Sequence, residues 1–318
     1  MQWTDRISGR VKLRDLHVLV AVASSGSISR AAELLAISHP VVSRTISDLE
    51  HTLGVRLFDR SSQGVEPTMY GRAFLDCGVA IFDELRRGVQ RLEFLSDPTS
   101  GEIRIGSYDV MMAGFIPAIV DRLARKHPKM AFQTIQGGDN HFLRTALRER
   151  KVDLVISRRM RTTGEEDLVT EVLFPDPLVV VAGPRNPWSA RRKIVLSELL
   201  NEPWIMPVPD SAIGVLIAQT FHSIGLQPPR WTVTSNSIPL RNGLLATGRY
   251  LSVLPRSILQ FGAQQVRAKI LPVELPAITE PVELLTLKNR MLSPTANLFI
   301  ECAREAAKSI AGQRRTRK

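Results

Sequence analysis

Residues 25–71 read SGSISRAAELLAISHPVVSRTISDLEHTLGVRLFDRSSQGVEPTMYG, and this stretch decides the fold of the first part of the chain. Two short helical patterns lie on either side of residues 36–38, and the hydroxyl of Ser27 is placed to cap the first of them. Two small residues, Ala31 and Ala32, would let the helices cross at close distance. The pattern predicts a helix-turn-helix, although its periodicity alone is equally compatible with a small helical bundle that has a solvated face.

The second of these helices is predicted to have one buried and one ligand-facing side. Its apolar residues recur at helical spacing and define the buried stripe Val42, Ile46, Leu49 and Leu53. The other side carries short polar groups and one arginine near the helix start, which suits insertion into the DNA major groove, because arginine can pair with guanine. The residues expected to contact DNA in this region are Ser27, Ser38, His39, Pro40, Val41, Ser43, Arg44 and Ser47.

A short hairpin is predicted after this helix. Residues 55–58 are extended, residues 61–64 have the composition of a turn, and residues 65–67 follow as a second extended piece. Such a wing would place Arg60 and Ser62 near phosphate oxygens or the minor groove, where contacts position a protein rather than read sequence.

The same stretch resembles one family of regulators. The matching positions include Gly26-Ser27, Ala31-Ala32, Ser38-x-Pro40, Leu49-Glu50 and Leu57-Phe58-x-Arg60. This pattern looks like the winged helix-turn-helix of LysR-type transcriptional regulators, and the resemblance implies sequence-specific binding of double-stranded DNA. The chain departs from the family at His39, where glutamine is usual, and at Ser47, where arginine is frequent. The resemblance therefore supports the family's docking mode more than its base preferences.

The composition and net charge limit the possible functions, but they do not show which surface binds DNA. The 318 residues carry a formal net charge of +11. Residues 1–95 hold 12 Lys+Arg against 11 Asp+Glu, a balance of only +1, whereas residues 101–312 hold 26 against 19, and the last five residues add four basic side chains. Because the region with the DNA-binding motif is nearly neutral, the motif and not the net charge must identify the interface.

The chain has the features expected of a cytoplasmic protein. It shows neither a secretion signal nor an apolar run of the ~18 to 20 residues needed to span a bilayer. Cys77 and Cys302 are far apart and lack neighbouring cysteines, so we expect inert thiols and neither a disulfide nor a metal site.

A long helix is predicted between Thr68, its cap, and about Leu95. Its apolar stripe comprises Leu75, Phe82, Leu85, Val89 and Leu92. Either pairing with a second chain or packing against the chain's own C-terminal domain would bury this stripe. In the family that the chain resembles, the helix forms a homodimer, and homotetramers are common.

From Ile103 onward the pattern alternates between strands and helices, which indicates parallel sheets covered by helices. Two such α/β lobes look like the effector domain of the same family, which resembles type 2 periplasmic solute-binding proteins. In one departure, Arg249 replaces a glycine often found before the last strand of the second lobe. The predicted fold class is therefore α/β, with an N-terminal winged helix-turn-helix, a long linker helix and a two-lobed, periplasmic-binding-protein-like effector domain.

The expected domain bounds follow from these patterns. They are 1–67 for the winged helix-turn-helix, 68–96 for the linker helix, 101–312 for the effector domain and 313–318 for a basic tail. Within the effector domain, lobe I is expected at about 101–172 and 271–312, and lobe II at about 173–270.

Ligands of open α/β sheets settle at the C-terminal ends of the strands, beside helix N-termini. The residues selected by this rule are Ser107, Tyr108, Asn140, Ser157, Arg158, Pro207, Ser235 and Asn236. Each of them also has an alternative role as a helix cap or surface-loop residue. Because the domain is basic and Arg158 or Arg159 lies near the cleft, we expect a small anionic effector such as a carboxylate.

Catalytic motifs are absent from the sequence. It contains no GxSxG, HExxH or GxxxxGK[ST] motif, and Gly243 to Gly248 has P-loop spacing but continues as Arg249-Tyr250. The histidines show no metal-binding spacing, so no cofactor or metal is expected. The two-lobed half alone would also fit an enzyme or a secreted solute-binding protein. The attached DNA-binding motif favours a ligand-responsive transcription regulator.

Overall fold

The computed structural model describes residues 10–61, 64–158, 166–261, 267–275 and 279–315. The chain forms two compact units, Met1–Val89 and Gln90–Lys318. The division falls inside the long helix Met69–Ser96.

The first unit is a helical bundle with a two-stranded hairpin. Its elements are α1 (Leu13–Ser25), α2 (Ile28–Leu34), α3 (His39–Leu53), β1 (Phe58–Ser61), β2 (Gly64–Pro67) and the first part of α4 (Met69–Ser96). Helix α1 ends at Gly26, whose φ of 63° is left-handed and favours glycine. The predicted stripe of α3 is confirmed, because Val42, Ile46 and Leu49 are fully buried in the core of this unit.

Thr68 begins α4, as predicted. Its hydroxyl accepts from the Gly71 amide at 3.0 Å and donates to the Arg56 carbonyl at 2.7 Å. Gly71 allows α4 to lie close to the residue before β1, since a Cβ at Gly71 would lie 1.9 Å from the Leu57 carbonyl oxygen. The start of α4 is therefore fixed to residues 56–57, which lead into β1.

The predicted apolar stripe of α4 divides into two parts. Leu75 and Phe82 pack on the core of the first unit. Farther along the helix, Leu85, Val89 and Leu92 are 48%, 54% and 66% exposed. The core of the first unit thus uses only the first part of the stripe.

The second unit contains two sheets joined by a shared strand. Lobe I is built from β3 (Ser100–Ser107), α5 (Asp109–Met112), α6 (Phe115–Lys126), β4 (Lys129–Gln136), α7 (Asn140–Arg148), β5 (Leu154–Arg158), β11 (Thr279–Leu287) and α11 (Pro294–Arg315). Lobe II contains β7 (Trp204–Met206), α8 (Ala212–His222), β8 (Trp231–Thr234), α9 (Ile238–Ala246), β9 (Leu251–Pro255), α10 (Arg256–Phe261) and β10 (Lys269–Ile270).

The shared strand is β6 (Leu168–Ala182). Its residues 168–177 pair antiparallel with β11, and residues 178–182 pair antiparallel with β9. In the described part of the chain the strand order is β4-β3-β5-β11-β6-β9-β7-β8, and β10 also pairs with β6. One strand thus belongs to both lobes and changes partner between Pro177 and Leu178.

The alternation of strands and helices predicted from Ile103 is confirmed, but the first half of β6 was not foreseen. Pro175 and Pro177 argue against a strand within a sheet, because proline cannot donate to the ladder. Pro175 lies opposite Pro281, and the register shifts between Val282 and Glu283. The irregular ladder accommodates the prolines there, a feature that local sequence does not reveal.

A buried ion-pair network holds lobe I together. Asp153 accepts from the Arg104 amide at 2.9 Å, and its carboxylate lies 3.0 Å from guanidinium nitrogens of both Arg104 and Arg290. Burial alone would raise the Asp153 pKa, but the hydrogen bonds and charges of the two arginines outweigh it and lower this pKa below its ordinary 3.8. The network therefore stabilises the charged carboxylate in the folded state.

We predict that Asp153→Asn lowers the unfolding free energy of this unit by about 3 kcal/mol at pH 7, because it leaves buried guanidinium groups without their charge partner. The folded pKa of Asp153 is below the unfolded value, so its stabilisation is present above pH 3.8 and is lost as the pH falls from there through the folded pKa. The difference in unfolding free energy between the variant and the native protein should therefore become smaller as the pH falls.

Urea unfolding of the full chain at pH 7 and at pH 3, followed by tryptophan fluorescence, measures this difference in unfolding free energy. Asp210→Asn is the matched control, since Asp210 is exposed. A deficit of the Asp153 variant that stays the same at both pH values would contradict the ionic origin of the stabilisation.

Candidate DNA-binding and effector sites

A tight turn joins α2 to α3. Ala36 has a φ of 52°, an uncommon left-handed value for a residue other than glycine, and it reverses the chain between the helices. Ala31 is fully buried and Ala32 is 6% exposed, so the two small side chains lie in the helix contact, as predicted. The Ser27 hydroxyl caps α2 by accepting from the Arg30 amide at 3.5 Å.

The predicted DNA-contacting residues of α3 lie at its exposed start. Ser38 is the N-cap but makes no side-chain cap hydrogen bond. Exposed side chains there belong to Ser38, His39, Pro40, Val41, Arg44 and Ser47, whereas Ser43 and Ser27 are half-buried. Val41 is 38% exposed, which offers an apolar contact beside the polar ones. Arg44 forms no ion pair with any described residue, so its guanidinium group is available to an external acceptor.

The wing is an antiparallel hairpin with Phe58 opposite Pro67 and Ser61 opposite Gly64. The first strand begins at Phe58, so extended structure starts later than residues 55–58 suggested. Arg60 is exposed on this strand. Ser62 lies outside the described residues.

The predicted effector residues of lobe I form hydrogen bonds with different partners. Ser107 is fully buried and donates to the Ile156 carbonyl at 2.5 Å. The Tyr108 hydroxyl donates to the Asn140 side-chain oxygen. The Asn140 amide nitrogen is buried and has no hydrogen-bond partner among the described residues. Tyr108 and Asn140 thus form one polar pair, while the Ser107 hydroxyl is already engaged.

Ser157 and Arg158 are consecutive on β5, so their side chains point to opposite faces of the sheet. Arg158 donates from Nη2 to the carbonyls of Asp176 and Glu280, which lie on β6 and β11. Its Nε and Nη1 atoms are shielded from solvent without a partner in the described ranges. Burial lowers the Arg158 pKa, and the nearby acidic groups oppose this. The guanidinium group retains unused donors next to the strand that joins the lobes.

On lobe II, the predicted residues support their own loops. Pro207 is buried. The Asn236 side-chain oxygen accepts from the Val208 amide at 3.2 Å, and the Ser235 hydroxyl accepts from the Ser237 amide at 3.1 Å. These contacts fit the structural alternative that the sequence left open.

The comparisons with known proteins match both units. The model described as "Bacterial regulatory helix-turn-helix protein, lysR family" matches residues 13–72, and the "LysR substrate binding domain" matches residues 96–308. The chain belongs to the LysR family. It is a DNA-binding LysR-type transcriptional regulator with an effector-binding domain, and the homologues are regulators and not enzymes.

Individual relatives and solved structures are similar to this chain along nearly its whole length. The uncharacterized HTH-type transcriptional regulator YdcI of Escherichia coli (strain K12) is 26% identical over 306 residues, which cover 96% of this chain and 99% of YdcI. A full-length OxyR variant from Pseudomonas aeruginosa has a TM-score of 0.63 at 22% identity and covers 94% of this chain and 95% of its own. Full-length CbnR in complex with its target DNA has a TM-score of 0.54 at 19% identity and covers 93% of this chain and 100% of its own.

Among the described residues, no group of three or more His, Cys, Asp or Glu side chains could hold a metal ion. No helix in the described ranges combines the length and the apolar character that crossing a bilayer requires.

The sequence patterns did not identify three residues that lie near the candidate sites. Arg144 is buried one helical turn after Asn140. Burial raises the pKa of Tyr108, and the charge of Arg144 opposes that shift. The i, i+4 spacing on α7 could have placed Arg144 beneath Asn140. It adds positive potential to the Tyr108–Asn140 pair.

The second missed residue is Asp109, which lies between the lobes. Its carboxylate accepts from the Gln136 side chain and from the Ile238 amide at the start of α9. Burial raises the Asp109 pKa, and the Ile238 hydrogen bond opposes this. No sequence signal connects these residues, because they meet only through tertiary structure.

The third missed residue is Glu50, which attaches the wing to α3. Its Oε1 atom accepts from the Leu57 amide at 2.8 Å and from the Phe58 amide at 3.2 Å. The Val65 amide also donates to the Gly26 carbonyl at 3.0 Å, which ties the second strand to the end of α1. Glu50 was noted in the sequence only as part of the family pattern, and its role as a positioning residue comes from these contacts.

We predict that Glu50→Ala lowers the stability of the winged helix-turn-helix by about 2 kcal/mol, because two backbone donors lose a charged acceptor. Asp48→Ala on the same helix is the control, since it removes the same charge from an exposed position. Hydrogen exchange of the Leu57 and Phe58 amides, together with chemical denaturation, measures the effect. Equal protection of these amides in the native protein and in both variants would refute this role of Glu50.

Proposed function

We propose that this regulator recognises a dyad-symmetric site in double-stranded DNA by placing the start of α3 in the major groove. The observation that carries the proposal is the exposed cluster of Ser38, His39, Pro40, Val41 and Arg44 at that helix end. Arg44 would pair with a guanine edge, and Val41 would contact a thymine methyl group. Ser27, Ser43, Ser47, Arg60 and Ser62 complete the proposed interface through polar or phosphate contacts.

We further propose that two chains pair through the exposed part of the α4 stripe. Leu85, Val89 and Leu92 follow one another at spacings of four and three residues, which is the spacing of a helix-to-helix seam. Burying them removes apolar surface that a single chain leaves in water. A homodimer supplies the two reading helices that a dyad site needs, and two dimers would form a homotetramer.

The second half of the proposal concerns the effector. We propose a small anion, such as a carboxylate, bound between lobe I (about 101–172 and 271–312) and lobe II (about 173–270). Tyr108, the Asn140 amide nitrogen, which has no partner among the described residues, and the positive charge of Arg144 support an anionic ligand on lobe I. The unused donors of Arg158 favour the same charge, and Ser107 and Ser157 lie at the same strand ends.

The opposite wall of this cleft would come from Pro207, Ser235 and Asn236 of lobe II. An effector that binds one lobe arrangement more tightly than another shifts the population toward it. Reciprocal coupling to the DNA-binding units would then change DNA affinity. Since the target is DNA, we place the protein in the cytoplasm.

We predict that Arg44→Ala reduces the preference for the operator over scrambled DNA by about 10- to 100-fold, equivalent to the ~1–3 kcal/mol of a good base contact. Fluorescence anisotropy of the full-length protein on its own upstream DNA, across a salt series, measures this preference. Non-specific binding should change little, because it depends on phosphate contacts.

Arg125→Ala is the control, since it also removes one exposed arginine but lies in the effector domain. A footprint and a preference that are unaltered in Arg44→Ala would remove this residue from the reading face. Equal losses in both variants would point to general electrostatics and contradict base recognition.

We predict that Asn140→Asp weakens effector binding by at least ~10-fold, because it places a negative charge where an anion would bind. A panel of small carboxylates, screened by thermal shift and titrated into the full chain, supplies the measurement. Asn297→Asp, on the exposed face of α11, is the control for the added charge. A carboxylate that binds native protein and Asn140→Asp equally would place the effector elsewhere.

A further inference from the structure

Lobe II contains a cavity that the proposed function does not use. Its volume is about 400 Å³, within the range of small-molecule sites. Its lining includes Asn186, Trp188, Arg191, Glu202, Pro203 and Arg249.

The cavity lies at the N-terminal ends of the lobe II strands, whereas the proposed effector residues lie at the C-terminal ends. Pro203 immediately precedes β7, and Arg249 comes shortly before β9, so both mark the N-terminal ends of these parallel strands. Pro207 and Ser235 instead follow the C-terminal ends of β7 and β8. A strand therefore separates the cavity from the cleft between the lobes.

The walls of the cavity are held by internal hydrogen bonds. Asn186 is buried, and its side-chain oxygen accepts from the Trp188 amide at 3.0 Å. The Ser189 hydroxyl donates to the Gly183 carbonyl at 2.8 Å, which closes the same loop. Gly248 has a φ of 81°, and a Cβ there would lie 2.9 Å from the Arg185 Cβ. These hydrogen bonds hold the loop that carries the Trp188 indole.

The chemistry of the lining is that of a flat apolar surface beside positive charge. Trp188 is half-exposed and packs at its base on the lobe II core. Neither Arg191 nor Arg249 has a hydrogen bond or ion pair from its guanidinium group to any described residue. The Arg249 guanidinium carbon lies 5.7 Å from the Tyr250 ring centroid, which leaves its donors available. Glu202 contributes one negative charge to the lining.

We propose that this cavity binds a planar organic monoanion, with its ring against the Trp188 indole and its carboxylate on Arg191 and Arg249. A guanidinium fork matches a carboxylate, and an aromatic ring gains from stacking on an indole. Glu202 disfavours a second carboxylate on the same ligand by like-charge repulsion.

Fluorine NMR of the full-length protein, labelled with 5-fluorotryptophan, tests this site. The chain has four tryptophans, and Trp188→Phe assigns the resonance of interest. Titrated benzoate should shift the Trp188 resonance saturably and leave those of Trp204 and Trp231 in place. Cyclohexanecarboxylate, which is anionic but not planar, and inorganic phosphate are the comparison probes and should have at least ~10-fold weaker effects.

Arg191→Ala and Arg249→Ala should each weaken the benzoate effect on Trp188 by at least ~10-fold, the loss expected for one charge-assisted contact. Arg192→Ala removes an adjacent exposed charge outside the lining and should leave it unchanged. A Trp188 resonance that does not move, moves equally with phosphate, or moves equally in the two arginine variants would overturn the proposal. Operator binding is assayed separately, so failure here leaves the DNA-binding proposal standing.

Discussion

The pairing of β6 with two different partners is the constraint on which the effector domain depends. Because the same strand runs from β11 to β9, both lobes share a continuous hydrogen-bonded ladder. At the point of change, Asp176 accepts from the Ser257 amide and hydroxyl at 2.9 and 2.7 Å and so ties the strand to α10 of lobe II. Arg158 binds the backbone of the same segment from lobe I. The polar groups that join the lobes are thus concentrated beside the proposed effector cleft.

The DNA-binding unit depends on a small number of backbone contacts. The wing is held at its two strands by different partners, Glu50 on one side and the Gly26 carbonyl on the other. These contacts leave the side chains at the start of α3 exposed. The surface that we propose reads DNA is therefore presented by a scaffold whose wing contacts are made elsewhere.

Local electrostatics matters more here than the net charge. In lobe II, Arg241 donates to the Ser252 hydroxyl at 2.7 Å and to the Val253 carbonyl at 2.6 Å, and burial lowers its pKa to about 10. Arg158 likewise meets carbonyls instead of carboxylates. Asp153, by contrast, satisfies two arginines at once. The overall charge of +11 could not reveal that these two guanidinium groups are buried and donate to carbonyl and hydroxyl oxygens.

The sequence by itself determined the helix-turn-helix, the capped linker helix and the alternation of strands and helices in the second half. These features depend on local periodicity and capping groups such as Thr68, which act within a few residues of each other. Tertiary structure alone decided the first half of β6, the wing contact of Glu50 and the position of Asp109 between the lobes. It also decided which oxygen atoms meet the buried Arg158 and Arg241, because those atoms belong to other segments of the chain. Such contacts depend on long-range packing, which leaves no periodic trace in the residues that make them.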